Sequence, residues 1–383
     1  MNLPHIEVIH HDESLQEILE NHLAQQANLQ PLHQYVQADQ QVSPLPAAES
    51  PQVELISATN LNRLHTNQRL VVEALLARGA QVEIIDASIE LLQVTLNGNT
   101  DLLLDRFSSK APFHAVKLTA DKWRTKCMLK NAGIEVPEGR YYTSTDDGLN
   151  EPDIKFPVVL KPNWGSHGDG VHTDVRNMDQ YTSAVLRHAY EYTDATPFIV
   201  EQYLDWKEYR LFATRNGGFA VVHREPASVR GDGRLTIRQL IEEENLVREG
   251  RRKIQATSVC ALAVDAETHR TLAHQGITLD FIPAEGSIVK IRNTSNLAKG
   301  GLAIDMTDTV PEWVKSLAFK IIDVFPMLPC VGIDLLCEDI NSETAKNYAV
   351  IEVNSNPGLA MHVYPAIGIS RPVHEYIADV MFT

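Results

Sequence analysis

The sequence contains little that would place this chain outside the cell or in a membrane. It has only four cysteines in 383 residues and no Cys-x-x-Cys spacing, so we expect reduced, mostly buried thiols. No apolar run approaches the roughly 18 residues that a membrane-spanning helix needs. The first residues lack the basic and apolar regions of a secretory signal. We therefore predict a soluble, cytoplasmic protein with no membrane partner.

The chain also lacks the excess of positive charge that is typical of nucleic-acid-binding proteins. Its formal net charge is −16, so we expect no nucleic-acid partner. A local basic pocket in an acidic protein can still bind a small anion, and nucleotides therefore stay open as ligands. Apolar residues make up 44% of the chain, which excludes global disorder, and the length indicates two or three packed domains.

The order of predicted elements indicates a mixed α and β protein. Residues 1–50 are polar, with a predicted helix at 14–27, and the proline-containing stretch at 37–52 is typical of a linker. Beyond them, the periodicity predicts strands at 53–58, 81–86, 156–161, 197–203, 208–214, 219–224, 331–336 and 349–353, and helices at 66–78, 119–132 and 311–324. The first strand–helix–strand unit predicts a small α/β layer. The charged stretch 230–290 is expected to be a helical insertion over a site.

Oxygen ligands occur on the last two predicted strands. Glu352 and Asn354 lie two residues apart, so their side chains share a face while Ile351 and Val353 pack into the core. Asp334 adds a carboxylate from the preceding strand. Mg²⁺ takes one or two carboxylates together with substrate phosphates and water. The pattern therefore predicts a Mg²⁺ site that serves a nucleotide, with Mn²⁺ as an alternative metal.

A glycine-rich turn follows the predicted strand that ends at Lys161. Gly165, Gly168 and Gly170 free the backbone to bring N–H groups close to an anion, and the lysine adds a point charge. The turn is neither a Walker loop nor a dinucleotide-binding loop. An ordinary tight turn is the alternative interpretation.

A further segment offers groups for a nucleoside. The backbone at 201–204 is suited to pairing with an adenine edge, and Glu208 is suited to accepting from two ribose hydroxyls. The alternative is a solvated loop with an ion pair between Glu208 and Arg210.

Several motifs in order resemble one enzyme family. They lie at 78–86, 121–122, 131–137, 229–233, 292–301, 332–335 and 352–365. Over about residues 53–383 the chain resembles ATP-grasp carboxylate–amine ligases. It is most similar to the glutathione-synthetase module of bifunctional bacterial glutathione synthases and to the ATP-grasp region of cyanophycin synthetases. The resemblance implies a protein of the broad α/β class with the α+β ATP-grasp fold. In this fold a small α/β domain precedes two lobes that clamp ATP.

The resemblance also implies domain boundaries and residue roles. The domains would be an extension and linker (1–50), a pre-ATP-grasp domain (51–117), an N-lobe with the lid (118–204) and a C-lobe with the metal site (205–383). The implied roles are phosphate contacts by Lys122 and Lys161, with Lys161 also near adenine; a lid of Gly165, Ser166, His167, Gly168 and Gly170; a hinge of Glu201, Gln202, Tyr203 and Leu204; a ribose-binding Glu208; metal ligands Asp334, Glu352 and Asn354; catalytic Arg224, Arg292 and Lys161; and substrate contacts by Arg210, Asn296, Gly300, Gly301, His362 and Arg371.

Some of these residues have plainer interpretations. His362 is also typical of a hydrogen-bonded structural histidine. Arg371 is also typical of a surface ion pair. The basic run 251–253 suits a solvated face, with contact to an anion or peptide as the alternative.

The function implied by the resemblance is ATP-dependent formation of an amide or peptide bond. The carboxylate would be activated as an acylphosphate, an amine would attack it, and ADP and phosphate would be released. Amino acids or dipeptides are the expected substrates, with specificity set by segments 57–66, 225–300 and 358–372. The alternatives are a kinase acting on a small-molecule hydroxyl, a ligase that adds amino acids to a polymer or peptide as in cyanophycin synthesis, and a non-catalytic nucleotide-binding protein, which the metal ligands argue against. The resemblance also implies a homodimer formed through the first α/β layer.

Overall fold

The structure is a computed structural model, and it describes residues 54–150, 153–165, 168–254 and 256–382. The predicted helix at 14–27, the linker at 37–52, Ser166 and His167 lie outside the described residues. Within the described ranges, no helix combines the length and the apolar character needed to cross a bilayer.

The first part of the described chain is an antiparallel sheet with one helix on it. Its elements are β1 (Glu54–Ile56), α1 (Thr66–Ala77), β2 (Gln81–Asp86), β3 (Leu91–Leu96), β4 (Asn99–Leu104) and β5 (Phe107–Ser108). The strands pair in the order β1-β2-β3-β4-β5, and every pair is antiparallel. Leu70 and Leu75 of α1 are buried against Val82 and Leu92 of the sheet.

The sequence analysis missed the hairpins formed by β3, β4 and β5. The turn between β3 and β4 is Asn97-Gly98, and both residues have positive φ, at 51° and 81°. Two such residues are typical of the type I′ turn that matches the twist of a hairpin. This Asn-Gly pair was the overlooked signal.

The second part is a four-stranded antiparallel sheet flanked by helices. Its elements are α2 (Phe113–Ala120), α3 (Lys122–Asn131), β6 (Gly139–Tyr142), α4 (Thr145–Leu149), β7 (Val158–Pro162), β8 (His172–Val175), α5 (Met178–Glu191) and β9 (Phe198–Gln202), with sheet order β6-β9-β7-β8. The predicted helix at 119–132 corresponds to α3, and α2, which ends at Ala120 just before it, was not predicted. Asp121 separates them and caps α3 by accepting a hydrogen bond from the Arg124 N–H at 2.9 Å.

The third part contains a five-stranded antiparallel sheet and the insertion. Its elements are β10 (Lys207–Thr214), β11 (Phe219–Glu225), β12 (Ser228–Arg230), α6 (Ile237–Ile254), α7 (Ala266–His274), β13 (Ile288–Lys290), β14 (Leu302–Asp305), α8 (Glu312–Val324), β15 (Cys330–Cys337), β16 (Tyr348–Asn354), α9 (Ala360–Val363) and α10 (Val373–Met381). The large sheet has the order β14-β11-β10-β15-β16. The insertion has its own small core around the β12–β13 pair, with Ile237, Ile241 and Leu272 buried in it.

One residue of β16 does not pack as the alternation predicts. Asp334 is paired with Glu352 and Leu335 with Val350, so Ile351 is the extra residue of a β-bulge. Ile351 is only half-buried, whereas Val350 takes the fully buried position in the core. The prediction that Ile351 packs into the core was therefore wrong, because the period of two breaks at the bulge.

Candidate active site

A row of charged residues crosses one face of the large sheet. Arg210 of β10 is directly opposite Asp334 of β15, and Asp334 is directly opposite Glu352 of β16. Residues that are opposite one another in an antiparallel pair project from the same face. Asn354 joins this face because it lies two residues beyond Glu352 on the same strand.

Asp334 is the centre of an ion-pair network. It is 5% exposed and accepts hydrogen bonds from Arg210, whose Nη2 lies 3.1 Å from Oδ2, and from Arg224, whose Nη1 lies 3.3 Å from Oδ1. The same Nη1 of Arg224 lies 2.9 Å from Glu208 Oε1. The expected alternative pair of Glu208 with Arg210 is therefore not the one that forms.

The pKa values of the two carboxyls in this network, Asp334 and Glu208, are shifted in opposite directions. Burial disfavours the charge of Asp334, but Arg210 and Arg224 outweigh this effect and lower its pKa below the ordinary value. Burial raises the pKa of Glu208, because the opposing effects of Arg224, Ser295 and Arg210 do not offset it and the charge of Asp334 adds to it. The face thus holds one firmly ionised carboxylate beside one that is easier to protonate.

The four-stranded sheet contributes a buried charge triad. Glu201 of β9 and Lys161 of β7 are diagonal neighbours, and Lys161 Nζ lies 2.8 Å from Glu201 Oε2. Lys126 of α3 also forms an ion pair with Glu201 and donates to the Pro137 carbonyl at 2.7 Å. All three charged side chains are at least 90% buried. Burial opposes ionisation of Glu201, but the two lysines outweigh it and lower its pKa.

Two contacts join the four-stranded sheet and the helix α3 to the charged face of the large five-stranded sheet. Lys122, at the start of α3, places its Nζ 3.5 Å from Glu352 Oε1 and donates to the Gly165 carbonyl at 2.6 Å. Lys161 Nζ lies 3.4 Å from the carbonyl oxygen of Ile351, the bulged residue. The structure thus brings together Lys122, Lys161 and the predicted metal ligand Glu352.

The predicted metal ligands are compatible with Mg²⁺. In the described part of the chain, no three His, Cys, Asp or Glu side chains are grouped to hold a metal by themselves. Asp334 accepts three hydrogen bonds from the two arginines, which leaves one of the roughly four acceptor positions of a carboxylate. Glu352 is partly exposed, and the Asn354 Nδ2 is buried with no hydrogen-bond partner. Two carboxylates and one amide fit an ion whose other ligands are phosphate and water.

The predicted hinge comprises the last two residues of β9, Glu201 and Gln202, and the two residues that follow the strand. The N–H of Gln202 donates to the Glu138 carbonyl at 2.8 Å, and the N–H of Tyr203 donates to the Pro157 carbonyl at 3.0 Å. These two donors are therefore already used within the protein. Leu204 comes next and is half-buried, so its backbone is the better placed to meet an adenine edge.

The described part of the predicted lid is shaped by glycine. Gly165, Gly168 and Gly170 all have positive φ, at 124°, 80° and 66°. At Gly170 a Cβ would also lie 2.6 Å from the Tyr192 hydroxyl oxygen, so a side chain does not fit there. The backbone at these positions therefore requires glycine, which fits both the anion-binding loop and the ordinary tight turn that the sequence left open.

Arg292 and the segment after it lie against the insertion. Arg292 is 4% exposed and pairs with Glu267 and with Asp265, whose Oδ1 lies 2.8 Å from its Nη1. Asn296 caps a short 3₁₀ helix, Leu297–Lys299, by accepting from the Ala298 N–H at 2.9 Å. Arg292 is thus bound to two carboxylates and does not join the ion pairs around Asp334.

Gly300 and Gly301 have no room for a side chain. A Cβ on Gly300 would lie 2.8 Å from the Leu262 Cα, and one on Gly301 would lie 3.0 Å from the Glu225 carbonyl oxygen. The Gly300 carbonyl accepts a buried hydrogen bond from Arg248 Nη1 at 2.8 Å. The two glycines therefore connect the insertion to the end of β11.

The structure does not favour direct substrate contact by His362 or Arg371. His362 is 1% exposed, packs against Phe212 with ring centroids 5.9 Å apart, and has no hydrogen-bond partner among the described residues at either nitrogen. It is therefore neither accessible to a substrate nor the hydrogen-bonded histidine of the alternative. Arg371 binds Asp305 and Asp308, with Nη2 at 2.6 and 2.7 Å from their Oδ2 atoms, as expected for the ion-pair alternative.

The sequence analysis missed two residues of the site. Lys126 lies one helical turn after Lys122, and this i, i+4 spacing on a predicted helix was the available signal. Asn163 is fully buried and holds the start of α3, because its Oδ1 accepts from the Trp123 N–H at 2.9 Å and its carbonyl from the Lys122 N–H at 3.1 Å. No local pattern marks that role of Asn163.

Comparison with known proteins identifies the class to which this fold and site correspond. No protein-family model matches the chain. A crystal structure of a bifunctional glutathione synthetase from Pasteurella multocida superposes with a TM-score of 0.59 at 27% identity, over 84% of this chain and 44% of that one. The fold is the α+β ATP-grasp fold, as predicted.

The sequence comparisons agree with the structural one. A cyanophycin synthetase from Synechocystis sp. is 34% identical over 282 residues, which is 72% of this chain and 32% of the relative. The glutathione biosynthesis bifunctional protein GshAB of Pasteurella multocida is 29% identical over 332 residues, which is 82% of this chain and 43% of the relative. The chain thus spans 32% and 43% of the length of these two relatives, less than half of each. The predicted resemblance to ATP-grasp ligases is confirmed, and the chain is their homologue.

Proposed function

We propose that this protein is an ATP-dependent carboxylate–amine ligase that forms an amide or peptide bond and releases ADP and phosphate. One observation carries the proposal: Lys122 of α3 and Lys161 of β7 reach to β16, beside the carboxylates of Glu352 and Asp334. Cations from one lobe and metal-binding oxygens from the other form the two sides of a polyphosphate site.

The chemistry follows from the poor reactivity of a carboxylate, whose direct displacement by an amine would expel oxide. Transfer of the γ-phosphoryl group gives an acylphosphate, and attack by the amine then expels phosphate. Phosphoryl transfer needs positioning and neutralisation of the charge on the transferred group more than it needs a protein nucleophile. Lys122 and Lys161 would bind the phosphates, and Arg224 would stabilise the developing charge.

The metal would be held by Asp334, Glu352 and Asn354, and Mg²⁺ would supply charge neutralisation at the phosphates when bound. Arg210 and Arg224 keep Asp334 ionised and fix its orientation. The turn from Gly165 to Gly170 would close over the phosphates and limit hydrolysis of the acylphosphate by water. Adenine would lie at 201–204 with its ribose at Glu208.

Product analysis tests this function directly. Standard amino acids would be screened in pairs for ATP-dependent phosphate release, with mass spectrometry of the products. The expected result is ADP, free phosphate and a dehydrative conjugate of the two substrates. ADP with a stable phosphorylated product would instead identify a kinase. Glu352→Gln is the control, because it removes a proposed metal ligand from a partly exposed position.

The relatives suggest a specific second experiment on the size of the acceptor. The sequence analysis left open a ligase that adds amino acids to a polymer or peptide, and this chain is 34% identical to a cyanophycin synthetase. Any active pair should therefore also be assayed with short peptides of the same residues as primers. Successive mass additions would favour polymer or peptide extension, and a single addition would favour a small product. The cytoplasmic location and the homodimer stay predictions.

A further inference from the structure

A small cavity lies where the first α/β layer, the insertion and the segment after β16 meet. It measures about 160 Å³ and is lined by Thr66, Arg69, Arg252, Ala256, Thr257 and Tyr364. These residues come from the first turn of α1, from the end of α6 and the loop after it, and from the residue that follows α9. The cavity thus joins the three segments that the sequence analysis associated with substrate specificity.

Two arginines line this cavity without a strong acceptor. Among the described residues, neither Arg69 nor Arg252 donates a hydrogen bond from its guanidinium. Arg69 forms only a long ion pair, with its Nε 3.6 Å from Glu73 Oε1, and the exposed Arg252 interacts with the carboxylate of Glu249 only through its charge. The Arg69 Nε is shielded from solvent. Arg210 and Arg371, by contrast, are each held by carboxylates through several hydrogen bonds. Two guanidinium groups at one small cavity repel each other unless an anion lies between them.

The start of α1 adds further positive potential. Thr66 is the first residue of this 12-residue helix, the side chain of His65 makes no capping hydrogen bond, and the first turn contains no acidic residue. The N-terminus of a helix carries a partial positive charge, so a basic side chain such as Arg69 is unfavourable there. An anion in the cavity would stabilise the helix terminus and both arginines together.

We propose that this cavity binds the carboxylate of an amino-acid or peptide substrate that is not the one activated. The inference rests on the proposed ligase function, since such an enzyme must activate one carboxylate and hold another away from the transferred phosphate. Arginine recognises a carboxylate in a planar, bidentate geometry, and the threonine hydroxyls can donate to it. The cavity is smaller than the roughly 300–1,000 Å³ of sites for drug-sized ligands, so it suits one terminal group.

The cavity is connected to the active site by a fixed stretch of chain. Beyond Asn354, the N–H groups of Leu359 and Ala360 donate to the Asn67 Oδ1 at 2.9 and 3.0 Å, next to the first turn of α1. Ser258 Oγ donates to the Tyr364 carbonyl at 2.7 Å on the other side. A substrate anchored here would therefore be oriented relative to the strand that carries Glu352.

Binding without ATP tests the proposal separately from catalysis. Saturation-transfer NMR would be recorded with the standard amino acids and diglycine, and with the amide derivatives of those that bind. Arg69→Gln and Arg252→Gln should each weaken carboxylate binding roughly 10–100-fold, and the amides should bind weakly to every variant. Arg251→Gln is the matched control, because it removes the same charge from an exposed neighbouring position that does not line the cavity.

Three results would overturn the proposal: no binding of any of these ligands to the wild type, unchanged binding in both variants, or binding of inorganic phosphate alone. Loss of amino-acid binding in the variants of a protein that shows no ATP-dependent ligation would support the cavity and refute the ligase. Ligation with the same KM in wild type and variants would support the ligase and refute the cavity.

Discussion

The buried imidazole of His362 makes the stability of this protein dependent on pH. Both ring nitrogens are without a hydrogen-bond partner among the described residues, and burial, assisted by the charge of Arg210, lowers the pKa from 6.5 to about 3. The folded protein therefore keeps this ring neutral over a range in which the unfolded chain protonates it. The associated stability is complete above pH 6.5 and is lost as the pH falls from 6.5 towards 3.

The size of the effect follows from that shift. Each pH unit below the ordinary pKa removes about 1.36 kcal/mol, so a shift to about pH 5 should destabilise the protein by about 2 kcal/mol through this one group. His362→Leu replaces the titrating ring with an apolar side chain of similar size, which cannot take up a proton. We expect the variant to lose about 2 kcal/mol less than the wild type between about pH 7.5 and pH 5.

Urea unfolding at the two pH values measures this difference. Phe212→Leu is the matched control, because it removes the ring packed against His362 and leaves the imidazole in place. The control should be less stable at both pH values and retain the pH dependence of the wild type. His172, whose pKa burial lowers to about 4, acts in the same direction, but its contribution is common to all three proteins and cancels. Equal pH dependence in His362→Leu and wild type would refute the reasoning.

Other predictions concern the two charge clusters. Glu201→Gln leaves two buried lysines without their carboxylate partner and should destabilise the fold by about 3–5 kcal/mol, as measured by urea unfolding. Lys126→Met should cost less, because the ion pair between Glu201 and Lys161 remains, and wild-type stability of Glu201→Gln would contradict the reasoning. Asp334→Asn and Glu352→Gln should each lower the rate of phosphate release roughly 10²–10³-fold in folded protein, and undiminished turnover would exclude them as metal ligands. Lys161→Met should weaken ATP binding roughly 10–100-fold by calorimetry, and unchanged affinity would count against its phosphate role.

Local patterns were sufficient for the strands that carry the site. β15 and β16 are long apolar runs with single polar residues, so period-two alternation placed Glu352 and Asn354 on one face. The strands predicted at 208–214 and 219–224 were equally clear, because Asn216-Gly217-Gly218 separates two apolar runs, and they form the β10–β11 pair. The Asn97-Gly98 hairpin carried a comparable signal, and its omission turned an antiparallel sheet into a predicted strand–helix–strand layer.

Partner choice between distant strands was not predictable in the same way. Glu208 pairs with Arg224 and leaves Arg210 to Asp334, because the registers of β10 with β11 and β15 place those residues opposite each other. Arg210 and Asp334 are 124 residues apart in sequence, and the register between their strands depends on the whole sheet and leaves no local mark. The bulge at Ile351 has the same origin, and it is the bulge that turns a backbone carbonyl towards Lys161.

The charge distribution of the two charge clusters is compatible with the proposed binding of a polyphosphate by so acidic a chain. The chain has a net charge of −16, yet cations outnumber carboxylates among the paired groups of the two clusters. Glu201 is shared by two lysines, and the raised pKa of Glu208 reduces the negative charge of the other cluster further. A buried excess of positive charge is costly without a counter-anion, and nucleotide phosphates would supply it. ATP should therefore stabilise the protein against unfolding even when its substrates are absent, whereas Lys161→Met should reduce that stabilisation in proportion to the lost affinity.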